Sequence, residues 1–289
     1  MNNLKITDVR IHPGDSAFLL DDGSTAILYD TGFGFTGEAL AEKVAEKLGS
    51  RPLDYLFLSH SHYDHVLGSC AVLRKFPDAK VIAGSYTADV FRREGALRKM
   101  RELDEKFAAR CGITDYTAST DNLRVDITVN DGEEIHAGTQ NFRVLELPGH
   151  TKCSIGFYHE AQKILIASET LGVYDGTDTI VPTFLVGVHD TLNSIDKVLD
   201  LKIDRILIPH NGLISREATE FFLANMKPRA IEAANFFAIR IKKGLSTEQI
   251  VEDFKQTYRK KYVAEAYPED AVNLNASLMT ELVRREFAL

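Results

Sequence analysis

The hexapeptide His60-Ser61-His62-Tyr63-Asp64-His65 restricts what this chain can become more than any other stretch of it. Four side chains able to bind a metal ion fall within six residues, directly after the apolar run Leu53–Leu58, which reads as a buried strand. Imidazole and carboxylate are good ligands for zinc and similar divalent ions. At a strand end, His60 and His62 lie two positions apart and can point the same way. Asp64 and His65 then turn with the loop and can reach a second point, so one short loop can serve two neighbouring ions.

Two more histidines follow apolar strands: His150 in Pro148-Gly149-His150-Thr151 and His210 in Pro209-His210-Asn211-Gly212. Each sits beside the Gly or Pro that a tight turn needs. Alone, each reads as a loop histidine; together with the first cluster they fill the vacancies of a two-metal site. His12, His136, His159 and His189 lie outside this pattern.

The pattern of the chain around these loops alternates. Ile6–Pro13, Ala17–Leu20 and Thr25–Tyr29 read as strands, with Asp21-Asp22-Gly23 as a hairpin signal. A helix is expected over Gly37–Leu48, stopped by Gly49. Lys80–Ala83 is a short strand, and Tyr86–Cys111 is mostly helical. Helical signal also resumes after His65. Strand patterns return at Leu123–Val129, Glu134–His136, Phe142–Glu146, Ile155–Tyr158, Ile164–Ala167 and Ile203–Ile208, with a helix over Leu192–Leu199. From Ser215 onward only helices are expected: Ser215–Lys243, Thr247–Lys260 and Pro268–Phe287. Ser246 and Gln249 have the spacing of a capping box. Two β-rich halves fringed by helices argue for two packed sheets with helices outside. We therefore expect a catalytic domain over 1–214 and a helical extension over 215–289.

With these residues in view, the sequence resembles the metallo-β-lactamase fold superfamily, in particular its glyoxalase II-like branch of metal-dependent hydrolases. The family pattern is a His-x-His-x-Asp-His loop, a distant His before Thr, an acidic residue after a later strand, and a final His. Here these are His60, His62, Asp64, His65, His150, Glu169 and His210, in that order, and Asp30-Thr31-Gly32 matches an early Asp-Thr-Gly. The resemblance covers about residues 4–213. It implies an α/β fold of the αββα four-layer sandwich type carrying a C-terminal helical extension. It also implies two divalent ions, zinc first and iron or manganese as alternatives. His60, His62 and His150 would hold one ion, and Asp64, His65 and His210 the other. Asp30 would orient the metal loop by hydrogen bonding or cap a turn. Glu169 departs from the pattern, because the family's bridging residue is usually Asp after Gly and here follows Ser168. It either bridges both ions or approaches only one. Cys153 stands where relatives often have Gly and reads as a small buried side chain. The segment 182–188 tends in this fold to pass near the active-site mouth, which leaves His189 open to a substrate or proton-transfer role.

Two adjacent ions make hydroxide available from a shared water near neutral pH and polarise the oxygen of the group under attack. Asp64 can hold that hydroxide and accept its proton, which makes it the candidate catalytic residue. The expected reaction is hydrolysis of a small ester or thioester. Phosphodiester or sulfate-ester hydrolysis, or a metal-binding signalling protein with little turnover, are the alternatives. No Gly-x-Ser-x-Gly elbow offers a separate nucleophile.

Composition narrows the partners. The net charge is −8, and the basic stretches Arg92–Arg110 and Lys255–Lys261 are interleaved with acidic residues, so no nucleic-acid track is expected. No apolar run approaches the ~18 residues that span a bilayer, and Met1–Asp15 has no signal-peptide pattern. Cys70, Cys111 and Cys153 are too few and too irregular for a disulfide framework. A cytoplasmic protein with a small-molecule substrate is expected. The apolar stripe Phe221, Phe222, Met226, Phe236, Phe237 and Ile241 reads as core, as a homodimer contact, or as a wall over the site.

Overall fold

The computed structural model describes residues 3–289. The chain divides into two compact units, Met1–Glu146 with Phe157–Ala161, and Leu147–Gly156 with Gln162–Leu289. The compositional boundary at 214/215 falls inside the second unit.

In the first unit, β1 (Lys5–Asp8), β2 (Phe18–Asp21) and β3 (Ala26–Tyr29) run as an antiparallel meander. Strand β1 is shorter than expected. The Asp15 carboxylate takes the amides of Ile11 and His12 at 3.0 and 2.8 Å, so the residues before Pro13-Gly14 curl into a turn. Helix α1 (Gly37–Leu48) presents Leu40, Ala41, Val44 and Leu48 to the core, and its chain reverses at Gly49. Strand β4 (Tyr55–Phe57) pairs in parallel with β3. Helix α2 (Tyr63–Val66) and α3 (Ser69–Lys75) follow. The first of these helical turns starts before His65, because the amides of His65 and Val66 donate to the His62 carbonyl.

Strand β5 (Lys80–Gly84) and β6 (Ile127–Val129) continue in parallel to complete the sheet order β1-β2-β3-β4-β5-β6. Between them, the mostly helical stretch Tyr86–Cys111 is divided at Arg92-Arg93 into α4 (Ser85–Phe91) and α5 (Glu94–Arg110). The inner strands are apolar on both faces, as parallel strands covered by helices must be; Ala26, Ile27, Leu28 and Tyr29 are all buried. Strand β7 (Glu134–Ala137) and β8 (Gln140–Glu146) form an antiparallel hairpin beside β9 (Ile155–His159).

In the second unit, β10 (Ile164–Ile166) is followed by the two-stranded ribbon of β11 (Val173–Tyr174) and β12 (Ile180–Val181). Helix α6 (Val188–Leu199) starts four residues before the apolar periodicity does, since Thr191 closes its first turn on the Gly187 carbonyl. Strand β13 (Arg205–Ile208) pairs in parallel with β10, and β14 (Gly212–Leu213) returns antiparallel to it. The C-terminal helices are α7 (Arg216–Lys242), α8 (Thr247–Tyr258), a short unexpected α9 (Lys261–Ala266) and α10 (Glu269–Glu286). The capping box forms: Ser246 accepts the Gln249 amide, and Gln249 accepts that of Ser246. Phe222, Met226 and Phe237 of α7 are buried, so half of the apolar stripe is core, while Phe221, Phe236 and Ile241 are half-buried. Among the described residues no helix is long and apolar enough to cross a membrane.

Candidate metal centre

Parallel pairing decides what meets the histidine loop in the first unit. Tyr29 lies opposite Phe57, so the residues that follow β3 and β4 leave the same sheet edge together. The Asp30 amide donates to the Phe57 carbonyl at 2.8 Å, in a left-handed conformation with φ of 51°. The Asp30 carboxylate is completely buried. One oxygen takes the Ser59 amide at 2.8 Å; the other takes the hydroxyls of Ser59 and Ser16, each at 2.9 Å. The same second oxygen lies 2.7 Å from Nδ1 of His65. A carboxylate accepts only, so Nδ1 of His65 carries the proton and Nε2 is left with its lone pair. Ser59 spends its single hydroxyl proton on Asp30 and lies 2.9 Å from Nδ1 of His60, so His60 also donates from Nδ1 and offers Nε2. The His60 ring sits 4.6 Å from that of His62 and 4.1 Å from that of His65, and an Asp64 oxygen is 3.9 Å from Nε2 of His65.

Backbone contact locks this loop. The Thr31 amide and hydroxyl both donate to the His65 carbonyl, at 2.7 and 3.0 Å. Gly68 lies so close to the same strap that a Cβ there would fall 1.9 Å from the Thr31 carbonyl oxygen.

The second unit repeats the logic. Strands β10 and β13 are parallel neighbours with Ile166 opposite Leu207, so Glu169 and His210 leave one edge a few residues later. Glu169 opens a 3-10 turn, and His210 holds φ at 62°, a costly conformation for a side chain of that size. The Glu169 carboxylate divides its oxygens: Oε2 is 2.9 Å from Nε2 of His150, and Oε1 is 3.5 Å from Nε2 of His210. Nδ1 of His150 faces the Thr183 carbonyl at 2.8 Å and donates to it, so Nε2 is the ring atom turned to Glu169. The Tyr267 hydroxyl donates to Oε1 of Glu169 at 2.9 Å, and its ring lies 5.1 Å from that of His210. Tyr262 donates to the His210 carbonyl. Gly149 beside His150 has φ of 141°, and a Cβ there would meet the Thr191 hydroxyl at 2.2 Å.

This donor set fits divalent ions. Three imidazoles have Nδ1 committed to an acceptor and Nε2 available, and a carboxylate faces two imidazoles. The remaining histidines play other parts. His12 packs against Phe33, Phe35 and Phe107. His136 bonds to Asn141, and buried His159 to Gln140. His189 is exposed, 3.6 Å from Glu286 and stacked on Phe287, so it belongs to the contact between α6 and the end of α10. Cys153 is buried beside Thr151, and the three cysteines are unbridged.

Tyr267, Tyr262 and Thr183 were not among the expected site residues. Tyr267-Pro268 carried only a helix-break signal, and nothing local marks a hydroxyl that reaches Glu169 across 98 positions. Asp104 of α5 is also new. It is wholly buried, and burial pushes its carboxyl up to about 7, with the Tyr116 hydroxyl at 2.7 Å and the Gly34 amide at 3.0 Å pulling the other way.

Comparison with known proteins bears on the whole arrangement. Residues 14–210, well over half of the chain, match the model of the metallo-beta-lactamase superfamily. The chain belongs to that superfamily. Its α/β fold with a helical C-terminal region is the superfamily's fold, and a metallo-beta-lactamase family protein of Thermus thermophilus superposes with a TM-score of 0.62 at 18% identity, covering 99% of this chain and 93% of the other. In sequence it is similar to the Beta-lactamase-like protein 2 homolog of Drosophila melanogaster, 25% identical over 88% of this chain and 79% of that protein. It is also similar to the Hydroxyacylglutathione hydrolase GloC of Haemophilus influenzae, 29% identical over 73% of this chain and 91% of the relative. The match to hydroxyacylglutathione hydrolases of Francisella tularensis spans only 46% of their length.

Proposed function

We propose that this superfamily member is a hydrolase that uses two divalent ions, zinc first, to cleave a small ester or thioester. His60, His62 and His150 would hold one ion and Asp64, His65 and His210 the other, with Glu169 grouped with the first set and 3.5 Å from His210 of the second. The observation that carries this reading is the preparation of the donors. His60, His65 and His150 each spend Nδ1 on a fixed acceptor, and Glu169 turns one oxygen to His150 and the other to His210. The similarity to a protein named as a hydroxyacylglutathione hydrolase supports an acyl substrate.

Ions in these positions would make water acidic near neutral pH and polarise the carbonyl under attack. The chain's own residues do the rest. Asp64, whose side chain keeps 19% of its surface exposed, accepts the proton of the attacking water, a task closed to fully buried Asp30. Tyr267 holds Glu169 in place through Oε1. The test is turnover of acyl thioesters and aryl esters by the purified chain, with and without chelator, and after zinc, manganese or iron is restored. We expect activity that chelation removes and metal restores, and an Asp64→Asn variant that keeps its fold while losing about 10²-fold or more of the rate. Chelator-resistant turnover, or an unchanged rate in Asp64→Asn, overturns the reading.

A further inference from the structure

Helix α7 has two uncharged faces, and only one of them is covered. Phe222, Met226, Ala230, Ala233 and Phe237 are buried against the rest of the second unit. On the opposite side Ala224, Pro228, Ile231, Asn235 and Ile239 are exposed and Phe221 is half-buried. Ile231 and Ile239 show 43% and 51% of their surface. A surface helix ordinarily carries charge on its outer side, whereas one that is apolar all round is a buried helix. Exposed apolar side chains scattered singly need no explanation; these stand in one file.

The spacing of the file is specific. From Phe221 through Ala224, Pro228, Ile231 and Asn235 to Ala238, positions advance by alternating steps of three and four. That is the seven-residue repeat of a helix packed lengthwise against another helix. Glu217 lies four positions before the file and Lys242 four beyond it, so the seam runs from an acidic end to a basic one.

Charges along its flanks are already matched within the chain: Lys227 pairs with Asp196 of α6, Arg229 with Glu232, and Arg240 with Asp253. Those at the two ends, Glu217, Lys242 and Lys243, have no ion pair among the described residues. The Lys227–Asp196 pair also brings the edge of α6 alongside, and Leu199, one turn beyond Asp196, is 42% exposed.

The geometry points to a second copy of this chain on that face, α7 against α7, antiparallel about a two-fold axis that passes between Pro228 and Ile231. Pro228 then meets Ile231 of the second copy, Phe221 meets its Ala238 and Ile239, and Glu217 meets its Lys242 and Lys243. The two-fold makes each contact twice. A parallel pairing would set Glu217 on Glu217 and Lys242 on Lys242, so charge selects the antiparallel order. The 27 residues of α7 extend about 40 Å, and a strip of that length and about 10 Å width covers about 400 Å² on each copy. With the edge of α6 added, the contact falls at the small end of protein interfaces, which corresponds to a dimer that forms at micromolar concentration.

The test is sedimentation velocity of the full chain from about 1 to 100 µM, a range that brackets a micromolar dimer, with reductant present because Cys111 is an exposed free thiol. The parent should pass from monomer to dimer across that range. Ile231→Asp and Ile239→Glu, both at exposed positions, should keep their circular dichroism and raise the dissociation constant about tenfold or more. Glu217→Lys should weaken the dimer about threefold or more, and so should Lys242→Glu combined with Lys243→Glu. All three charge changes together should restore it, since opposite charges again face each other. A parent that stays monomeric at the highest concentration overturns the proposal, and if it then binds phosphatidylcholine vesicles through Ile231 the face is a membrane surface instead. A dimer indifferent to both Ile231→Asp and Ile239→Glu is held elsewhere and overturns it too. A triple charge variant no tighter than its parts overturns the antiparallel order.

Discussion

Asp30 accepts hydrogen bonds from the Ser59 amide, two serine hydroxyls and Nδ1 of His65 while completely buried. Asp30→Asn would present an amide N–H₂ where only acceptors fit, and the nearest escape is for His65 to move its proton to Nε2. That would remove the lone pair the proposed ion needs. We expect a folded variant whose metal affinity falls by about 10–100-fold, measured by competition with a chromophoric chelator; unchanged affinity would mean that Asp30 serves the backbone turn alone.

Asp104 leads to a prediction about pH. Its carboxyl is held protonated up to about 7 in the folded chain, against an ordinary value of 3.8. A raised pKa means the folded state keeps a proton that the unfolded state releases. Its contribution to stability is whole below the ordinary value and drains away as pH rises through about 7. Asp104→Asn should therefore gain on the parent as pH rises, with a melting temperature a few degrees higher at about pH 8 and no such advantage at about pH 5. A difference that does not change with pH would remove Asp104 from the account.

At the scale of elements, the metal loop depends on how closely α3 and the Asp30-Thr31-Gly32 strap approach. The Gly68 amide donates to the Gly32 carbonyl at 3.3 Å, and no Cβ fits against the Thr31 carbonyl oxygen. The Gly68 backbone is itself ordinary, with φ of −61°, so the constraint is space rather than conformation. Gly68→Ala should force the strap away from His65 and lower stability by about 1–3 kcal/mol, seen in denaturant melts, with a parallel loss of metal affinity. A neutral Gly68→Ala would show that the strap can shift freely. The α8 capping box is the opposite case: Ser246 and Gln249 act within one turn, and Ser246→Ala should cost about 1 kcal/mol without touching the metals.

For the whole molecule, ions bound only by the folded chain raise its stability in step with their free concentration. The melting temperature should rise on titration with zinc and fall on chelation. In His62→Ala the dependence should weaken together with metal content by elemental analysis. A melting temperature indifferent to metal in the parent would leave the donor set without an occupant.

Local chemistry made much of this legible in the sequence. The His60–His65 loop, the helix Gly37–Leu48, the Ser246 capping box and most strand cores announce themselves through residue type at fixed spacing, because ligand reach, helical period and hydrogen-bonded turns act over a few residues. Asp30 is marked only through the resemblance of Asp30-Thr31-Gly32 to the superfamily's early motif. The strand ends were less legible: the Asp15 carboxylate, not the apolar pattern, ends β1, and the Thr191 contact with Gly187 sets where α6 begins. What the sequence could not state was which strands lie side by side. Parallel pairing of β3 with β4 brings Asp30 to Ser59 and His65, and that of β10 with β13 sends Glu169 and His210 off one edge. Tyr267 reaches Glu169 only because α8, α9 and α10 pack as they do. Such contacts join residues separated by tens of positions, and their free energy comes from burial and hydrogen bonding that exist only once the chain has closed on itself, so no local pattern records them.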